Sequence, residues 1–355
     1  MLGAALYLVC LDAKTKEPYS NSEPCRICKR FIINAGINKV IARVTRNRFK
    51  TYHVRNWIDN NLWEYRKRGR KIVPVEAPRT LSEAVDIIRA KKLINHFSLA
   101  DALVVQLRSG EMAKQAIGRV AARYFFNNVK NMNSVALSCG DTILSMLEHL
   151  PYQPHLQLVI NQLSIEGDPS MIHQAPATLV GLLRAKSSPK SKVFGLQLPP
   201  RNMFKIPYKV EQDEFNPRLI KKLWAEARCS EYAFLGVGSA ASDSASFWAM
   251  AQSATEGRFS KIAKKIGIIG EINNQVFNEN GEDCSHLIPG FDSHVVNILK
   301  LTDLKSMAKD RSKQKVVLVA TGESKTKALR TALKYGFANV IITSREDADR
   351  LLEKE

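Results

Sequence analysis

The sequence predicts an α/β protein whose main part is a parallel β-sheet flanked by helices, with a smaller α/β unit ahead of it. From residue 102 onward, short apolar runs alternate with segments of helical spacing, and three of these runs end in glycine turns. Strands that alternate with helices pair in parallel and carry helices on both faces of the sheet. A length of 355 residues with 45% hydrophobic composition provides a large core and about two domains.

The first 60 residues have the pattern of a β-α-β fragment. Residues 4–10 are an apolar run that predicts a buried strand, and residues 25–35 have helical spacing up to a glycine. Residues 39–44 predict a second strand. The pattern indicates one small module over residues 1–60.

Residues 61–96 are predicted to connect this module to the rest of the chain. The stretch 59–78 is charged and contains prolines, as linkers often do, and the stretch 81–97 has helical spacing. A basic linker followed by a connecting helix is therefore expected here. The large domain covers residues 97–355.

The elements of the large domain are predicted in alternating order. Strands are expected at 102–107, 134–137, 157–163, 192–196, 232–237, 268–277, 316–320 and 339–343. Helices are expected at 111–127, 142–150, 175–183, 216–227, around 246–254 and at 324–335. No repeat at a fixed period is visible.

Three turns that follow predicted strands could each hold an anion. Their sequences are Ser138-Cys139-Gly140-Asp141-Thr142, Gly236-Val237-Gly238-Ser239 and Ala320-Thr321-Gly322-Glu323-Ser324-Lys325. Glycine allows a tight turn, and backbone amides and hydroxyls at a helix N-terminus favour phosphate. Each turn alone is also compatible with an ordinary strand-to-helix connection in which Asp141 is an N-cap. Together they indicate a ligand site, because ligands bind at the carboxyl ends of parallel strands.

Lys325 is expected in the first turn of a helix, where the helix dipole disfavours a cation. That position indicates an anionic partner for the ammonium group. An exposed lysine paired with Glu323 is the alternative interpretation.

The chain is basic, and its charge is concentrated near the N-terminus. The net charge is +19, and residues 1–80 hold 17 Lys and Arg against 6 Asp and Glu, a difference of +11. Aromatic residues lie between the basic ones, a mixture suited to phosphate contact and base stacking. A solvated surface without a partner remains the alternative. The candidate nucleic-acid residues are Arg43, Arg46, Arg48, Lys50, Arg66, Lys67, Arg68, Arg70 and Lys71.

Cys25 and Cys28 form a Cys-x-x-Cys pair that could give two thiolate ligands to zinc. Zinc requires four ligands, or three and a water, so the pair alone does not make a site. His53 or Cys10 could complete a structural zinc site. Ordinary reduced thiols are the equal alternative, and six cysteines in 355 residues are too sparse for a disulfide framework.

From about residue 97 to the C-terminus, the chain resembles the effector-binding domain of the SorC-type sugar-binding transcriptional regulators, relatives of the DeoR-type regulators. The resemblance is carried by Gly118-Arg119-Val120-Ala121-Ala122, the three glycine turns, Gly270-Glu271-Ile272, Phe277-Asn278-Glu279-Asn280-Gly281 and Asn339-Val340-Ile341-Ile342-Thr343. It implies a phosphosugar-isomerase-like fold that binds a phosphorylated sugar or polyol as a signal and is generally not catalytic. A pentose-derived or other phosphorylated effector is the expected partner, and a homo-oligomer the expected assembly.

The resemblance also implies which residues would line the ligand pocket. They are Ser138, Gly140, Thr142, Gly236, Gly238 and Lys325. This sequence departs from the family pattern at Cys139, which replaces an aromatic residue, and at Asp141, which puts a negative charge where a phosphate would approach. A retained fold with altered ligand specificity is expected.

Residues 4–58 resemble the C-terminal half of a cytidine or deoxycytidylate deaminase. The resemblance rests on Ala5-Leu6-Tyr7-Leu8-Val9, Pro24 to Arg30, Ile32 to Ile37 and Trp57-Ile58. That family has a His or Cys followed by Ala and Glu upstream of the cysteine pair, and this sequence lacks such an element. The resemblance implies a truncated or repurposed module.

Two classes of function follow. The first is a ligand-responsive, regulator-like protein, in which any DNA contact falls to the basic segment because no helix-turn-helix is evident. The second is a zinc-dependent pyrimidine nucleotide deaminase whose active site is completed by another chain or by a missing N-terminal segment. No stretch is long and apolar enough for a membrane span, so a cytoplasmic protein without membrane contact is expected.

Overall fold

The computed structural model divides the chain into two units, residues 1–79 and residues 80–355, which we describe separately. The structure describes residues 5–9, 32, 37, 39–45, 48–54, 65–68, 71–74, 85–107, 112–164, 175–195, 217–240, 248, 251–252, 255, 257–288 and 298–353. Among the described helices, none combines the length and the apolar character needed to cross a bilayer.

The first unit contains a three-stranded sheet. Strand β1 (Ala5–Val9) pairs in parallel with β2 (Lys39–Thr45), and β3 (Arg48–His53) pairs antiparallel with β2. The two parallel strands lie where the β-α-β pattern predicts them. Of the predicted helix 25–35, only Ile32 is described; it is helical and belongs to a small core with Val40 and Val54.

Three strands in this unit are not predicted by the sequence. Strand β3 consists of basic and aromatic residues without apolar alternation, so no strand pattern was visible. Strands β4 (Tyr65–Arg68) and β5 (Lys71–Pro74) form an antiparallel hairpin where a linker is predicted. The segment predicted as a linker therefore contains a hairpin, because a charged composition does not prevent backbone pairing, and its role as a linker stays a prediction.

The second unit follows the predicted alternation, and it has three further helices that the sequence does not predict: Phe259–Ile266, Leu301–Lys309 and Arg345–Leu352. Its helices are α1 (Ile87–Phe97), α2 (Ala113–Asn128), α3 (Asp141–His149), α4 (Pro176–Lys186), α5 (Pro217–Arg228), α6 (Phe259–Ile266), α7 (Leu301–Lys309), α8 (Thr326–Lys334) and α9 (Arg345–Leu352). Its strands are β6 (Asp101–Val105), β7 (Ser134–Leu137), β8 (Val159–Gln162), β9 (Lys192–Phe194), β10 (Tyr232–Leu235), β11 (Gly238–Ser239), β12 (Ile268–Ile272), β13 (Gln275–Asn278), β14 (Lys315–Val319) and β15 (Val340–Ser344).

Seven of these strands form one parallel sheet in the order β6-β15-β14-β10-β7-β8-β9. Alternate residues of the central strands enter two separate cores. In β14, Val316 and Leu318 face a core with α1, α5, α7, α8 and α9, whereas Val317 and Val319 face a core with α2, α3 and α4. Such a sheet, apolar on both faces and covered by helices, confirms the predicted fold class.

The sequence places the start of α1 six residues too early. The helix begins after Asp86, whose side chain accepts a hydrogen bond from the backbone amide of Arg89 at 3.1 Å. Val85 instead forms an isolated bridge with Val105 of the sheet. Apolar spacing does not reveal such a cap, because an Asp N-cap is a local hydrogen bond rather than a pattern.

The predicted strand 268–277 is a hairpin of two strands. Asn273 and Asn274 both have positive φ angles, 53° and 60°, and turn the chain between β12 and β13. Asparagine tolerates this left-handed conformation better than most residues. Strand β11 joins the hairpin as an antiparallel neighbour of β12, so a second small sheet stands beside the large one.

Gly118 lies where α2 passes close to α3. A Cβ at this position would come within 2.3 Å of the Ser145 Oγ atom and 2.8 Å of the Ser145 carbonyl carbon. We expect Gly118→Ala to lower the free energy of unfolding by about 1–3 kcal/mol, because overpacking outweighs the gain in helix propensity. Gly181→Ala in α4 is the matched control, since a Cβ there meets no atom within 4 Å. Urea denaturation measures both, and equal stability of the two variants would contradict the expectation.

Candidate functional site

The three glycine turns meet at the carboxyl edge of the parallel sheet and surround one cavity of about 260 Å³. This edge is where ligands bind in open α/β sheets. The residues around the cavity are Lys114, Ser138, Cys139, Gly140, Asp141, Thr142, Gly236, Val237, Gly238, Ser239, Glu271, Asn273, Thr321, Gly322, Ser324 and Lys325. All six residues predicted as ligand contacts are therefore brought together, and their role in binding stays a prediction.

Two of the turns need glycine for their backbone conformation. Gly140 has φ 114° and is the N-cap of α3, and Gly322 has φ 125° and precedes the 3-10 turn Glu323–Lys325 that leads into α8. Side chains strain the backbone at such angles. A Cβ at either position would meet no atom within 4 Å. Glycine is therefore favoured here by the positive φ angle of the backbone and not by crowding from neighbouring atoms.

Glu271 lies against the second turn. A Cβ on Gly238 would come within 2.4 Å of the Glu271 Oε1 atom, so the close approach of this carboxylate requires glycine. The backbone amide of Asn274 donates to Glu271 Oε2 at 3.1 Å. Burial raises the pKa of Glu271 to about 7, although hydrogen bonds from Asn274 and Gly238 and the charge of Lys325 oppose the shift.

The tip of the β12–β13 hairpin supports the first turn. Asn273 is buried, and its Oδ1 atom accepts a hydrogen bond from the Ser138 hydroxyl at 3.1 Å. Its Nδ2 atom donates to the carbonyls of Leu163 at 3.1 Å and Leu299 at 3.0 Å. The hairpin thus fixes Ser138 at the cavity wall.

Lys114 compensates the charge of Asp141. The Lys114 Nζ atom is 2.9 Å from Asp141 Oδ2, and both side chains are about half exposed. The sequence indicates that Asp141 would repel a phosphate, but in the structure this carboxylate is paired with a cation that also lines the cavity. The pair leaves the first turn without a net charge.

Lys325 is partly buried at the cavity rather than exposed on the surface. Burial lowers its pKa, and the nearby carboxylate of Glu271 opposes that shift. Glu323, the alternative partner suggested by the sequence, instead contacts Arg350 at 3.3 Å. Lys325 thus lies at the cavity, and the binding of an anion by its ammonium group stays a prediction.

Asp347 stabilises the third turn through hydrogen bonds. This buried carboxylate accepts hydrogen bonds from the Thr321 hydroxyl at 2.8 Å and the Gly322 amide at 3.0 Å. It also accepts from the Ser344 hydroxyl at 2.7 Å and from Arg350 at 3.1 Å. These contacts fix the backbone that presents Lys325.

Cys139 lies beside the cavity, at the position where the SorC-type pattern has an aromatic residue. Its Sγ atom is 3.5 Å from Asn274 Oδ1, and burial raises the pKa of the thiol to about 12. The thiol is therefore protonated at neutral pH and acts as a small wall residue rather than as a nucleophile.

Ten of the sixteen lining residues were not predicted as ligand contacts. Eight of these ten lie inside the three glycine turns or the Gly270-Glu271-Ile272 motif, so membership of a motif could have identified them. Lys114 and Asn273 gave no such signal, because only the packing of α2 and the hairpin turn brings them to the cavity.

The other predicted site residues lie in the first unit. Cys25, Cys28, Arg46 and Arg70 fall outside the described residues, and of Arg66, Lys67, Arg68 and Lys71 the structure describes the backbone alone. The described part of the chain contains no group of three or more His, Cys, Asp or Glu residues placed to hold a metal ion. Arg43, Arg48 and Lys50 are on the β2–β3 hairpin.

Glu271 should make stability depend on pH. Its folded-state pKa of about 7 lies above the ordinary value of 4.5, so the folded protein binds an extra proton between these values. We therefore expect the free energy of unfolding contributed by this group to fall as pH rises from 4.5 to 7. Glu271→Gln, which keeps the shape and an acceptor oxygen, should remove this part of the dependence in urea melts over that range. Parallel pH profiles of the variant and the original protein would contradict the assignment.

Comparisons with known proteins agree with this geometry. Residues 85–353, more than half of the chain, match the family described as "Putative sugar-binding domain". The chain is similar in structure to the full-length sorbitol operon regulator SorC from Klebsiella pneumoniae, with 18% identity, a TM-score of 0.64, and coverage of 79% of this chain and 85% of that one. It is also similar to a DeoR family transcriptional regulator from Listeria monocytogenes, with 21% identity, a TM-score of 0.59, and coverage of 75% and 98%. The chain therefore belongs to the family of sugar-binding domains whose structural relatives are SorC- and DeoR-type transcriptional regulators.

Proposed function

We propose that this protein is a ligand-responsive, regulator-like protein that binds a phosphorylated sugar or a related phosphorylated metabolite in the cavity at the sheet edge. The observation that carries the proposal is the convergence of three glycine turns and Lys325 on that one cavity. Membership of the family supports a sugar as the ligand, and the glycine turns support a phosphate group on that sugar.

The first turn has the features of a phosphate subsite. Helix α3 begins directly after Gly140, so backbone amides that have no partner within the helix belong to residues that line the cavity, together with Ser138 and Thr142. The Lys325 ammonium lies on the third turn and adds a positive charge. Backbone amides and a lysine together are a common way of binding phosphate.

The size of the cavity favours a small ligand. About 260 Å³ is below the roughly 300–1,000 Å³ of pockets that hold drug-sized molecules. A monosaccharide phosphate is of suitable size, whereas a dinucleotide is too large. A signalling role rather than turnover is proposed because the structural relatives are transcriptional regulators.

A thermal-shift screen followed by calorimetry tests the proposal. We expect at least one pentose or hexose phosphate to raise the melting temperature, and we expect the matching unphosphorylated sugar to have little effect at the same concentration. Equal shifts from the two forms would contradict a phosphate subsite, and the absence of a shift with any sugar phosphate would contradict the choice of ligand.

The zinc and deaminase hypotheses concern residues outside the described part of the chain and stay predictions. The comparisons give them no support, since the matching family covers residues 85–353. Metal analysis of the purified protein and an assay of ammonia release from cytidine nucleotides test them directly. A homo-oligomeric assembly also stays a prediction, which sedimentation can check.

A further inference from the structure

The two faces of the N-terminal sheet differ sharply. On one face, Val40 and Ala42 are fully buried, and Val40 belongs to the core that contains Ile32 and Val54. The other face includes Tyr7, which is 72% exposed. A single exposed aromatic side chain is common, but several on one face of a sheet can mark an interaction surface.

The strand register places a second exposed aromatic residue on the same face as Tyr7. Tyr7 pairs with Ile41, and Ile41 pairs with Thr51 on β3. Phe49, two residues from Thr51 along β3, has the same orientation because side chains alternate with a period of two. Phe49 is 59% exposed.

The two rings are too far apart to contact the same base. They lie two strands apart and two residues apart along the strand direction. With strands about 4.8 Å apart and a rise of about 3.3 Å per residue, the separation is roughly 12 Å. Each ring would therefore contact a different part of an extended ligand.

Basic residues occupy the positions around these rings. Lys39, two residues before Ile41, is exposed on the same face, and Arg43 pairs directly with Phe49. The Arg43 Nε atom donates to the carbonyl of Thr45 at 3.3 Å, which holds the guanidinium near the sheet. The face thus combines aromatic rings with positive charge, within a region whose charge is +11.

We propose that this open face, defined by Tyr7, Lys39, Ile41, Arg43, Phe49 and Thr51, binds single-stranded nucleic acid. Bases would stack on Tyr7 and Phe49, and phosphates would contact Lys39 and Arg43. Exposed aromatics in a positively charged surface bind single strands because unpaired bases have free ring faces, which bases within a duplex lack. This activity is independent of the sugar-binding cavity, so neither proposal requires the other.

Fluorescence anisotropy with the full-length protein tests this proposal. The probes are a labelled single-stranded oligonucleotide of mixed sequence, made as DNA and as RNA, and the same sequence as a duplex. We expect both single strands to bind more tightly than the duplex, and their ratio tells which sugar backbone is preferred. Tyr7→Ala and Phe49→Ala should each weaken single-strand binding roughly 5- to 150-fold, as loss of one base stack does.

Two controls separate stacking from general effects. Tyr152→Ala removes an aromatic side chain that is 60% exposed in the other unit and should leave binding unchanged. Phe49→Tyr keeps a ring and should retain affinity, and circular dichroism should show that each variant is folded. The proposal is overturned if the folded Tyr7→Ala and Phe49→Ala variants keep their affinity, or if the duplex binds as tightly as the single strands. Phosphate contacts alone would then explain the binding. Loss of self-association in Tyr7→Ala with no change in oligonucleotide affinity also overturns it and makes the face a protein interface.

Discussion

Replacing Lys325 by Ala is expected to weaken the binding of a sugar phosphate by about 1.5–3 kcal/mol, which is roughly 10- to 150-fold in Kd. The ammonium group lies at the cavity, where it is partly buried, and burial lowers its pKa. A charged hydrogen bond to phosphate in such a position contributes more than one at the surface. Calorimetric titration with the sugar phosphate found in the thermal-shift screen measures the loss.

The matched control is Lys327→Ala. Lys327 is only two residues away, is 65% exposed at its side chain and forms an ion pair with Glu279. Its removal takes away the same charge from the start of the helix that follows Lys325, so an equal loss of affinity would indicate long-range electrostatics rather than contact. The unphosphorylated sugar supplies a second control, because Lys325→Ala should change its affinity little. If the folded Lys325→Ala variant binds the sugar phosphate normally, the phosphate lies elsewhere.

Replacing Asp347 by Ala is expected to lower the free energy of unfolding by about 3–5 kcal/mol, because a buried carboxylate that accepts several hydrogen bonds would be lost. The change would leave the Thr321 hydroxyl, the Gly322 amide and the Ser344 hydroxyl without their acceptor. Each unsatisfied buried group costs about 1–3 kcal/mol. Urea denaturation followed by circular dichroism measures the loss of stability.

Two further variants make this expectation specific. Asp347→Asn keeps an oxygen toward Thr321 and Gly322 and should be markedly less destabilising than Asp347→Ala. Asp310→Ala removes a more exposed carboxylate that pairs with Lys313 at 3.7 Å and should cost less than about 1 kcal/mol. Similar stabilities for Asp347→Ala and Asp310→Ala would show that the network does not hold the third turn.

The parallel sheet and the cavity could be predicted because their signals are local. Strand Ser134–Leu137 is a short apolar run whose bounds match the prediction, and the glycine turn that follows it forms the first wall of the cavity. Parallel topology then requires the turns to lie at one edge of the sheet. Ser138 and Lys325 could therefore be placed together although 187 residues separate them (325 minus 138).

The contacts that complete the cavity could not be predicted because they depend on the packing of sequence-distant elements. The Asn273–Asn274 turn looks like the middle of one strand, since Gln275 and Val276 continue an apolar and β-prone run. Its role in holding Ser138 appears only when the hairpin packs beside β7. In the first unit, strand β3 could not be predicted from the sequence. Its basic residues interrupt the apolar alternation by which strands are identified.

The pairing of β6 with β15 has a consequence for the synthesis of this protein. Strand Asp101–Val105 has its partner, residues 340–344, more than 230 residues later, and the two align from Asp101–Val340 to Val105–Ser344. During translation, β6 cannot pair with β15 until residues 340–344 have left the ribosome, after the rest of the sheet has been synthesised. Parallel sheets closed by such distant pairing fold slowly. A ribosome-bound chain halted before residue 340 would expose the edge of β14, where chaperones or other strands could attach.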